Sequence, residues 1–214
     1  MTTLIFTHEV CVGHHTGDYH PESPDRLRAI HAVLDGDHFR ELDWRKAPKA
    51  SRDNVALVHE PAYVDNVLAA IPDEGYHYLD PDTVVSSASG EAALRGVGAV
   101  VAAVDAVVDD QSGSNAFCAV RPPGHHEERA RSMGFCLFNN VAVGALHARA
   151  AHGLQRVAVV DFDVHHGNGT QKIFARETKV LLVGSQQMPL YPGTGKRSEV
   201  GLSLIHISEP TRLG

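Results

Sequence analysis

Short apolar runs alternate along the chain with longer amphipathic stretches. Short runs of apolar and β-branched residues are typical of buried strands, and the longer stretches are typical of helices. The runs predict strands at residues 3–7, 115–120, 157–162 and 179–184, and the stretches predict helices at 24–34, 62–71, 88–108, 139–151 and 169–176. Alternating strands and helices predict an α/β fold, with a three-layer, mostly parallel β-sheet that carries helices on both faces.

Two segments sharpen this prediction. Residues 157–160, together with Phe162, have no polar interruption, which predicts a central strand covered on both faces. Residues 8–23 contain so many His, Gly and Pro residues that we expect a loop without regular structure. Ser23 can cap the helix that follows, with Pro24 in its first turn.

Composition narrows the class of protein. The chain has 214 residues, of which 43% are hydrophobic and 21% are charged, as expected of one globular domain. A net charge of -7 argues against a nonspecific nucleic-acid binder. Three cysteines without C-x-x-C spacing favour a reducing compartment. Neither a signal peptide nor a run of ~18 apolar residues is present, so we expect a cytoplasmic protein without membrane contact.

Histidines occur in adjacent pairs at 14–15, 125–126 and 165–166. The second and third pairs follow predicted strands, so their loops should share one crevice at the carboxyl edge of the sheet. Adjacent imidazoles there can serve as general base and general acid, because imidazole titrates near neutral pH. His14 and His15 are expected to be solvated or to support the site from outside.

The segment DFDVHHGNG is the most informative part of the sequence, because its acidic and histidine side chains lie close together. Asp161, Asp163 and His165 alternate, so in an extended chain their side chains project to one side as the strand ends. A carboxylate and an imidazole at that position suit a borderline divalent cation such as zinc. The segment therefore predicts a metal site.

Five blocks in order resemble the histone deacetylase family, including its bacterial, class II-like members and the related acetylpolyamine amidohydrolases. The blocks are HPESPDRL at 20–27, RPPGHH at 121–126, GFCLFNN at 134–140, VDFDVHHGNGTQ at 160–171 and PLYPGTG at 189–195. The resemblance implies an arginase/deacetylase-like fold. It also implies a zinc-dependent hydrolase that removes acetyl groups from acetyl-lysine or from acetylated polyamines.

The resemblance implies roles for the chemical residues. Asp163 and His165 match two of the three protein ligands of the family's catalytic zinc. Asp161 matches the carboxylate that orients the first tandem histidine, and its backbone carbonyl lies at a potassium site in relatives. His125 and His126 match the pair that activates water and protonates the leaving amine, and which residue does which stays open.

The resemblance also implies a residue beside the second tandem histidine and residues that contact the substrate. Asn168 stands where many relatives have an aspartate, as is usual in class II-like members, and the loss of that negative charge should ease deprotonation of the second imidazole. Three residues match the narrow tunnel that holds the acyl-lysine stem, and either of two aspartates could accept hydrogen bonds from the substrate at the rim. The tunnel residues are Gly134, Phe135 and Tyr191, and the rim candidates are Asp80 and Asp82.

The sequence also departs from the family pattern. Gln186 stands where a histidine is common, and Gly184 stands where a serine often supports the potassium site, so a K⁺ site is in doubt. No residue after Gly195 matches the third zinc ligand, an aspartate, or the tyrosine that stabilises the oxyanion. We therefore expect the 214-residue chain to be inactive and its parent protein to be a competent enzyme.

The end of the chain carries a separate prediction. Residues 202–212, LSLIHISEPTR, resemble the translation of a transposon-end adapter used in sequencing libraries, although an ordinary strand and turn is the alternative. We expect residues 1–201 to be the N-terminal part of a single histone-deacetylase-like domain, and 202–214 to be a non-native tail. Native codons running unbroken through position 214 at the source locus would refute this.

Two other functions remain open. A ureohydrolase of the arginase type shares the general architecture, but it would need two metals and guanidino substrates, and RPPGHH with GFCLFNN argues against it. A non-catalytic acyl-lysine or zinc-binding module is the third possibility, and a chain without the downstream residues would favour it.

Overall fold

The computed structural model describes residues 2–110, 114–196 and 198–199, and the backbone of 206–211. Its helices are α1 (Val10–Gly13), α2 (Pro24–Leu34), α3 (Arg52–Ala56), α4 (Pro61–Ala69), α5 (Ser89–Asp109), α6 (Asn140–His152) and α7 (Asn168–Phe174), with a 3₁₀ turn at Asp37–Phe39. Its strands are β1 (Thr3–Thr7), β2 (Asp43–Lys46), β3 (His77–Asp80), β4 (Thr83–Val85), β5 (Asn115–Ala119), β6 (Val157–Asp161), β7 (Val180–Gln187) and β8 (His206–Thr211). Every predicted strand and helix is present.

The described strands form two parallel units and one hairpin. Strands β2, β1 and β5 pair in that order, and β6, β7 and β8 pair in that order, all parallel. Strands β3 and β4 form an antiparallel hairpin that the sequence did not predict. The prediction of a mostly parallel α/β architecture is confirmed.

The long helix α5 lies at the centre of the packing, as its small apolar residues predict. A Cβ atom at Gly98 would lie 2.0 Å from the carbonyl oxygen of Pro48, and one at Gly144 of α6 would lie 2.4 Å from Val100. Only glycine permits such close approach of backbone to neighbour. The two helices therefore pack tightly against each other and fix the scaffold behind the loops.

Strand β1 is covered on both faces. Leu4 and Phe6 pack with residues of α5, whereas Ile5 packs with Leu27 of α2 on the other side. This alternation is the period-2 pattern of a strand between two helical layers. Helices thus cover both faces of this part of the sheet.

Strand β6 differs from its prediction. Val157 and Val159 pack against the main core, but Val160 is 64% exposed and Phe162 is 87% exposed. Within the described residues β6 pairs with β7 alone, and the core packs on one of its faces. The expectation of a strand covered on both faces is therefore wrong for the described part of the chain.

The first loop also differs. Residues 10–13 form the short helix α1, where a loop without regular structure was predicted, because Cys11 is fully buried in the core beside β1. His14 is fully buried, with Nδ1 2.6 Å from Ser89 Oγ and Nε2 3.5 Å from Glu22, so of the two alternatives the solvated one is wrong and support of the site from outside fits. His15 is exposed, as expected.

Among the described residues, no helix has both the length and the apolar character needed to cross a membrane.

Candidate active site

The loops that follow β5 and β6 meet at the carboxyl ends of their strands. His125 Nδ1 lies 3.0 Å from Asp161 Oδ2, which joins the first loop to the end of β6. Both strands belong to parallel units, so their carboxyl ends can open on the same edge. The prediction that the two loops share one crevice is confirmed.

Asp161 is positioned by its surroundings to hold His125. Its Oδ1 accepts the backbone N–H of Asp163 at 3.2 Å, which leaves Oδ2 for the imidazole. A Cβ atom at Gly167 would lie 2.2 Å from Asp161 Oδ2, so a side chain there would push the carboxylate away from its position beside His125. Because the carboxylate accepts, His125 donates from Nδ1 and its Nε2 is left as the basic nitrogen.

Asp163 and His165 form a compact pair just beyond the strand. Asp163 Oδ1 accepts the backbone N–H of His165 at 2.7 Å and lies 3.0 Å from its Nδ1. Burial raises the pKa of Asp163, but the hydrogen bonds from His165 and the neighbouring His125 outweigh it, so the pKa lies below its usual value. The side chains are 45% and 37% exposed, so an ion can reach them.

This donor set fits part of a zinc site. One carboxylate oxygen and one imidazole nitrogen lie at hydrogen-bonding separation and face solvent, and both are common zinc ligands. No third His, Cys, Asp or Glu completes a three-ligand cluster here among residues 2–110, 114–196 and 198–199. The described chain therefore supplies two ligands to a site that needs at least three.

His126 stands beside this pair. Its ring centroid lies 4.0 Å from that of His125 and 5.9 Å from that of His165. Its Nδ1 lies 2.9 Å from Asn168 Oδ1, and because an amide oxygen only accepts, His126 donates from Nδ1. Burial, together with the neighbouring His125, lowers the pKa of His126 to about 4.

A strained turn closes the other side of His126. Gly134 and Phe135 both have positive φ, at 59° and 68°, and such backbone is unusual for a residue with a side chain. Hydrogen bonds from the two backbone N–H groups hold it, to Asp82 Oδ1 at 3.0 Å and to Thr83 Oγ1 at 3.2 Å. The β3–β4 hairpin therefore fixes the turn against the site.

Tyr191 and the hairpin aspartates lie at the mouth of the site. The Tyr191 ring centroid is 5.0 Å from that of His126, and its hydroxyl lies within the electrostatic influence of Asp82. Burial, with the nearby Asp82 and Asp80 charges, raises the pKa of Tyr191. Asp80 Oδ1 instead accepts two backbone N–H groups inside the hairpin, from Asp82 and Thr83. Asp82 is thus the aspartate that contacts the tunnel residues.

Sequence reasoning missed a buried ion pair that holds the site loops together. Arg121 donates two hydrogen bonds to the Glu22 carboxylate, both at 2.6 Å, and a third to the carbonyl of Cys11 at 2.8 Å. His14 Nε2 lies 3.5 Å from Glu22. The signal was available, because opposite charges occur in two of the recognised blocks.

A second missed residue is Glu127, directly after the tandem histidines. It is fully buried, and neither carboxyl oxygen has a hydrogen-bond partner within the described residues. Burial raises its pKa well above the usual value, because the low-dielectric surroundings favour the neutral carboxyl. Nothing in the sequence distinguishes it from the adjacent Glu128, whose side chain is 21% exposed.

Gln186 and Gly184 are the two positions at which the sequence departs from the family's potassium site. Gln186 is buried and donates from Nε2 to the carbonyl of Gly195 at 2.8 Å. Gly184 contributes no hydroxyl. The K⁺ site stays a prediction.

Comparison with known proteins places this arrangement in a family. The model of the histone deacetylase domain matches residues 20–208. A histone deacetylase-like amidohydrolase of Pseudomonas aeruginosa is 36% identical over 89% of this chain and 54% of its own length. A probable deacetylase of Methanothermobacter thermautotrophicus is 37% identical over 92% of this chain and 59% of its own length.

The fold agrees with a solved structure. The crystal structure of the HDA15 HD domain superposes with a TM-score of 0.90 at 35% identity, covering 98% of this chain and 61% of that one. The chain thus spans a little more than half the length of these relatives. With two loops meeting at one strand edge, a matching domain model and a matching fold, the chain belongs to the histone deacetylase family.

Proposed function

We propose that the protein is a zinc-dependent amidohydrolase that removes acetyl groups from acetyl-lysine or from acetylated polyamines. The observation that carries the proposal is the convergence of His125, His126 and the Asp163–His165 pair at the carboxyl edge of β6. Two basic nitrogens beside an anionic metal-binding pair are the groups that amide hydrolysis requires.

Asp163 and His165 would hold the zinc ion. Bound zinc supplies Lewis-acid polarisation of the amide carbonyl and lowers the pKa of water. The exposure of both side chains supports this role. A third ligand would have to come from outside the described residues, because zinc sites use at least three protein ligands.

The tandem histidines would move the protons. Asp161 and Asn168 accept the Nδ1–H groups of His125 and His126, so both Nε2 atoms are free to take and return a proton. A neutral amide beside His126 adds no negative charge, and burial further favours its neutral, basic form. The division between base and acid stays open.

The turn and the hairpin would bind the substrate. Phe135 and Tyr191 offer apolar surface to a methylene stem, worth about 25 cal/mol per Å² buried. Asp82 would accept hydrogen bonds at the rim, and its charge suits either a peptide N–H or a polyamine ammonium group. An acetyl-lysine peptide and N-acetylputrescine would separate the two substrate classes by their relative kcat/KM values.

We propose further that residues 1–201 are the N-terminal part of one catalytic domain and that residues 202–214 are non-native. On this proposal the chain alone is inactive, because no residue after Gly195 matches the family's third metal ligand or its oxyanion tyrosine. Loss of an oxyanion donor alone lowers kcat by about 10² to 10³-fold. Acetate release should be absent from this chain and present once it is extended by the downstream codons of its source locus. Acetate release by the 214-residue chain would refute this part of the proposal.

A non-catalytic zinc-binding or acyl-lysine-binding role is the second candidate, since the candidate active site holds two metal ligands rather than three among the described residues. Zinc binding by the extended protein without acetate release would favour it.

A further inference from the structure

A second cluster of metal-ligating side chains lies away from the candidate active site. His147 Nε2 and His152 Nε2 approach the same oxygen, Asp105 Oδ1, at 2.6 and 2.7 Å. One donor atom from each residue lies within 4.8 Å of the others. Helix α6 begins at Asn140, after the active-site loop, and its rise places His147 and His152 about 10 and 18 Å along the helix from that end.

Two helices running in the same direction build the cluster. Gly96 of α5 lies against Asn140 at the start of α6, Val100 lies against Gly144, and Asp105 lies against His147. The carboxyl ends of α5 and α6 therefore lie side by side. Each end carries a partial negative charge from its unpaired carbonyl groups, which favours a cation between them.

Asp109 lies one turn after Asp105 and supports the same site. Its Oδ1 is 3.7 Å from Nδ1 of His152, which is beyond hydrogen-bond distance, and its negative charge favours a proton on Nδ1. Nε2 of His152 donates to Asp105 Oδ1 at 2.7 Å, so a bound ion would displace that proton and take the Nε2 lone pair. A carboxylate that orients a ligating histidine in this way is a regular feature of metal sites.

We propose that Asp105, His147 and His152 form a second site for a divalent transition-metal ion, with Zn²⁺ as the best-suited ion. Two imidazoles and one carboxylate are a common zinc donor set, and a water molecule can complete the tetrahedron. The imidazoles are largely buried, at 12% and 15% exposure, while the carboxylate is 45% exposed and leaves an entry path. The bound ion clamps the ends of α5 and α6 together.

The test is Zn²⁺ titration calorimetry on chelator-stripped protein. The background variant carries Asp163→Asn and His165→Gln, which removes the ligands of the candidate active site. It should bind one Zn²⁺, and adding His152→Gln or Asp105→Asn should weaken that binding at least about 10- to 100-fold. His38→Gln, at an exposed histidine outside the cluster, is the matched control and should bind as the background does.

A second measurement guards against loss of folding in the variants. Zn²⁺ should raise the thermal midpoint of the background variant, and this rise should vanish with His152→Gln while the circular dichroism spectrum is unchanged. Absence of Zn²⁺ binding by the background variant would overturn the proposal. Binding that is unaffected by both His152→Gln and Asp105→Asn would overturn it as well.

Discussion

At the residue scale, the site depends on close backbone approach at a few glycines. Gly134 has a φ of 59°, and a Cβ atom there would lie 2.4 Å from Cδ2 of His126. Gly153, at the end of α6, has a similar φ of 68° but no atom within 4 Å of such a Cβ. Both positions therefore require a positive φ, but only at Gly134 do neighbouring atoms leave no space for a Cβ atom.

Gly134→Ala should therefore destabilise the protein more than Gly153→Ala does. Positive φ alone costs an alanine about 1–2 kcal/mol, and overlap with the His126 ring adds about 1–3 kcal/mol. Urea denaturation of both variants measures the difference. Equal losses of unfolding free energy would contradict the packing described here.

Glu127→Gln should stabilise the protein at neutral pH. The folded-state pKa of Glu127 is raised above its unfolded value, so folding is most favourable below that unfolded value and is weakened as the pH rises above it. Glutamine keeps the shape and cannot ionise, so its gain should grow between pH 5 and pH 8.

Thermal melts across that pH range test this expectation, with Glu41→Gln, at an exposed position, as the control. A gain of about 1 kcal/mol would raise the midpoint by about 2–4 °C in a chain of this size. A loss of stability at pH 8 would show that the carboxyl is ionised and partnered.

At the residue scale, the sequence predicted the reacting residues but not the buried polar residues that lie around them. The spacing of Asp161, Asp163 and His165 sufficed to place them on one side, because strand geometry fixes that alternation. The burial of Glu127 and His14 could not be predicted, since polar residues are mostly exposed and only tertiary packing shows where they are not.

At the element scale, the Arg121–Glu22 pair connects the loop after β5 to the segment before α2. Both side chains are almost fully buried, and the charge of each compensates the charge of the other. Such a pair adds little to stability compared with apolar packing. Removal of one partner, however, leaves the other as a buried charge without compensation.

Arg121→Met should therefore cost about 3–5 kcal/mol of unfolding free energy. The control is Arg40→Met, in an ion pair with Asp37 whose side chains are 74% and 83% exposed, and it should cost at most about 1 kcal/mol. Denaturant titration of both variants gives the comparison. Similar small losses would mean that water reaches the Arg121 pair.

Elements with strong periodicity could be predicted, and those with mixed composition could not. Helix α5 and strand β1 follow directly from their apolar patterns. Strand β2 (DWRK) and strand β3 (HYLD) are too polar to signal a strand, and they form because neighbouring strands supply the hydrogen bonds. The open face of β6 could not be predicted, because an apolar run shows what a strand can bury rather than what covers it.

At the scale of the whole molecule, buried histidines should make stability fall in acid. Burial lowers the pKa of His14 and of His59 to about 4. His59 accepts the backbone N–H of Asn139 at Nε2, 2.9 Å away, which requires the neutral ring.

The direction of this pH dependence follows from the difference in histidine pKa between the folded and unfolded states. Unfolded histidine has a pKa near 6.5, so below that value the unfolded state binds more protons than the folded state. Stability present above pH 6.5 should be lost as the pH falls towards 4, by about 3 kcal/mol for each histidine.

Unfolding free energies at pH 7, 5 and 4 measure this loss, and His59→Gln should make the slope shallower while His38→Gln leaves it unchanged. An unchanged slope in His59→Gln would show that His59 is protonated in the folded protein.

The central claim is that Asp163 helps to form the reacting centre of an acetyl-amide hydrolase, and acetate release tests it most directly. The chain extended by its downstream codons should release acetate from an acetyl-lysine peptide, and Asp163→Asn should lower kcat/KM at least about 100-fold, because a metal ligand is lost. Asp37→Asn, at an exposed position, should leave the rate unchanged. Undiminished acetate release by the Asp163→Asn protein would contradict the account.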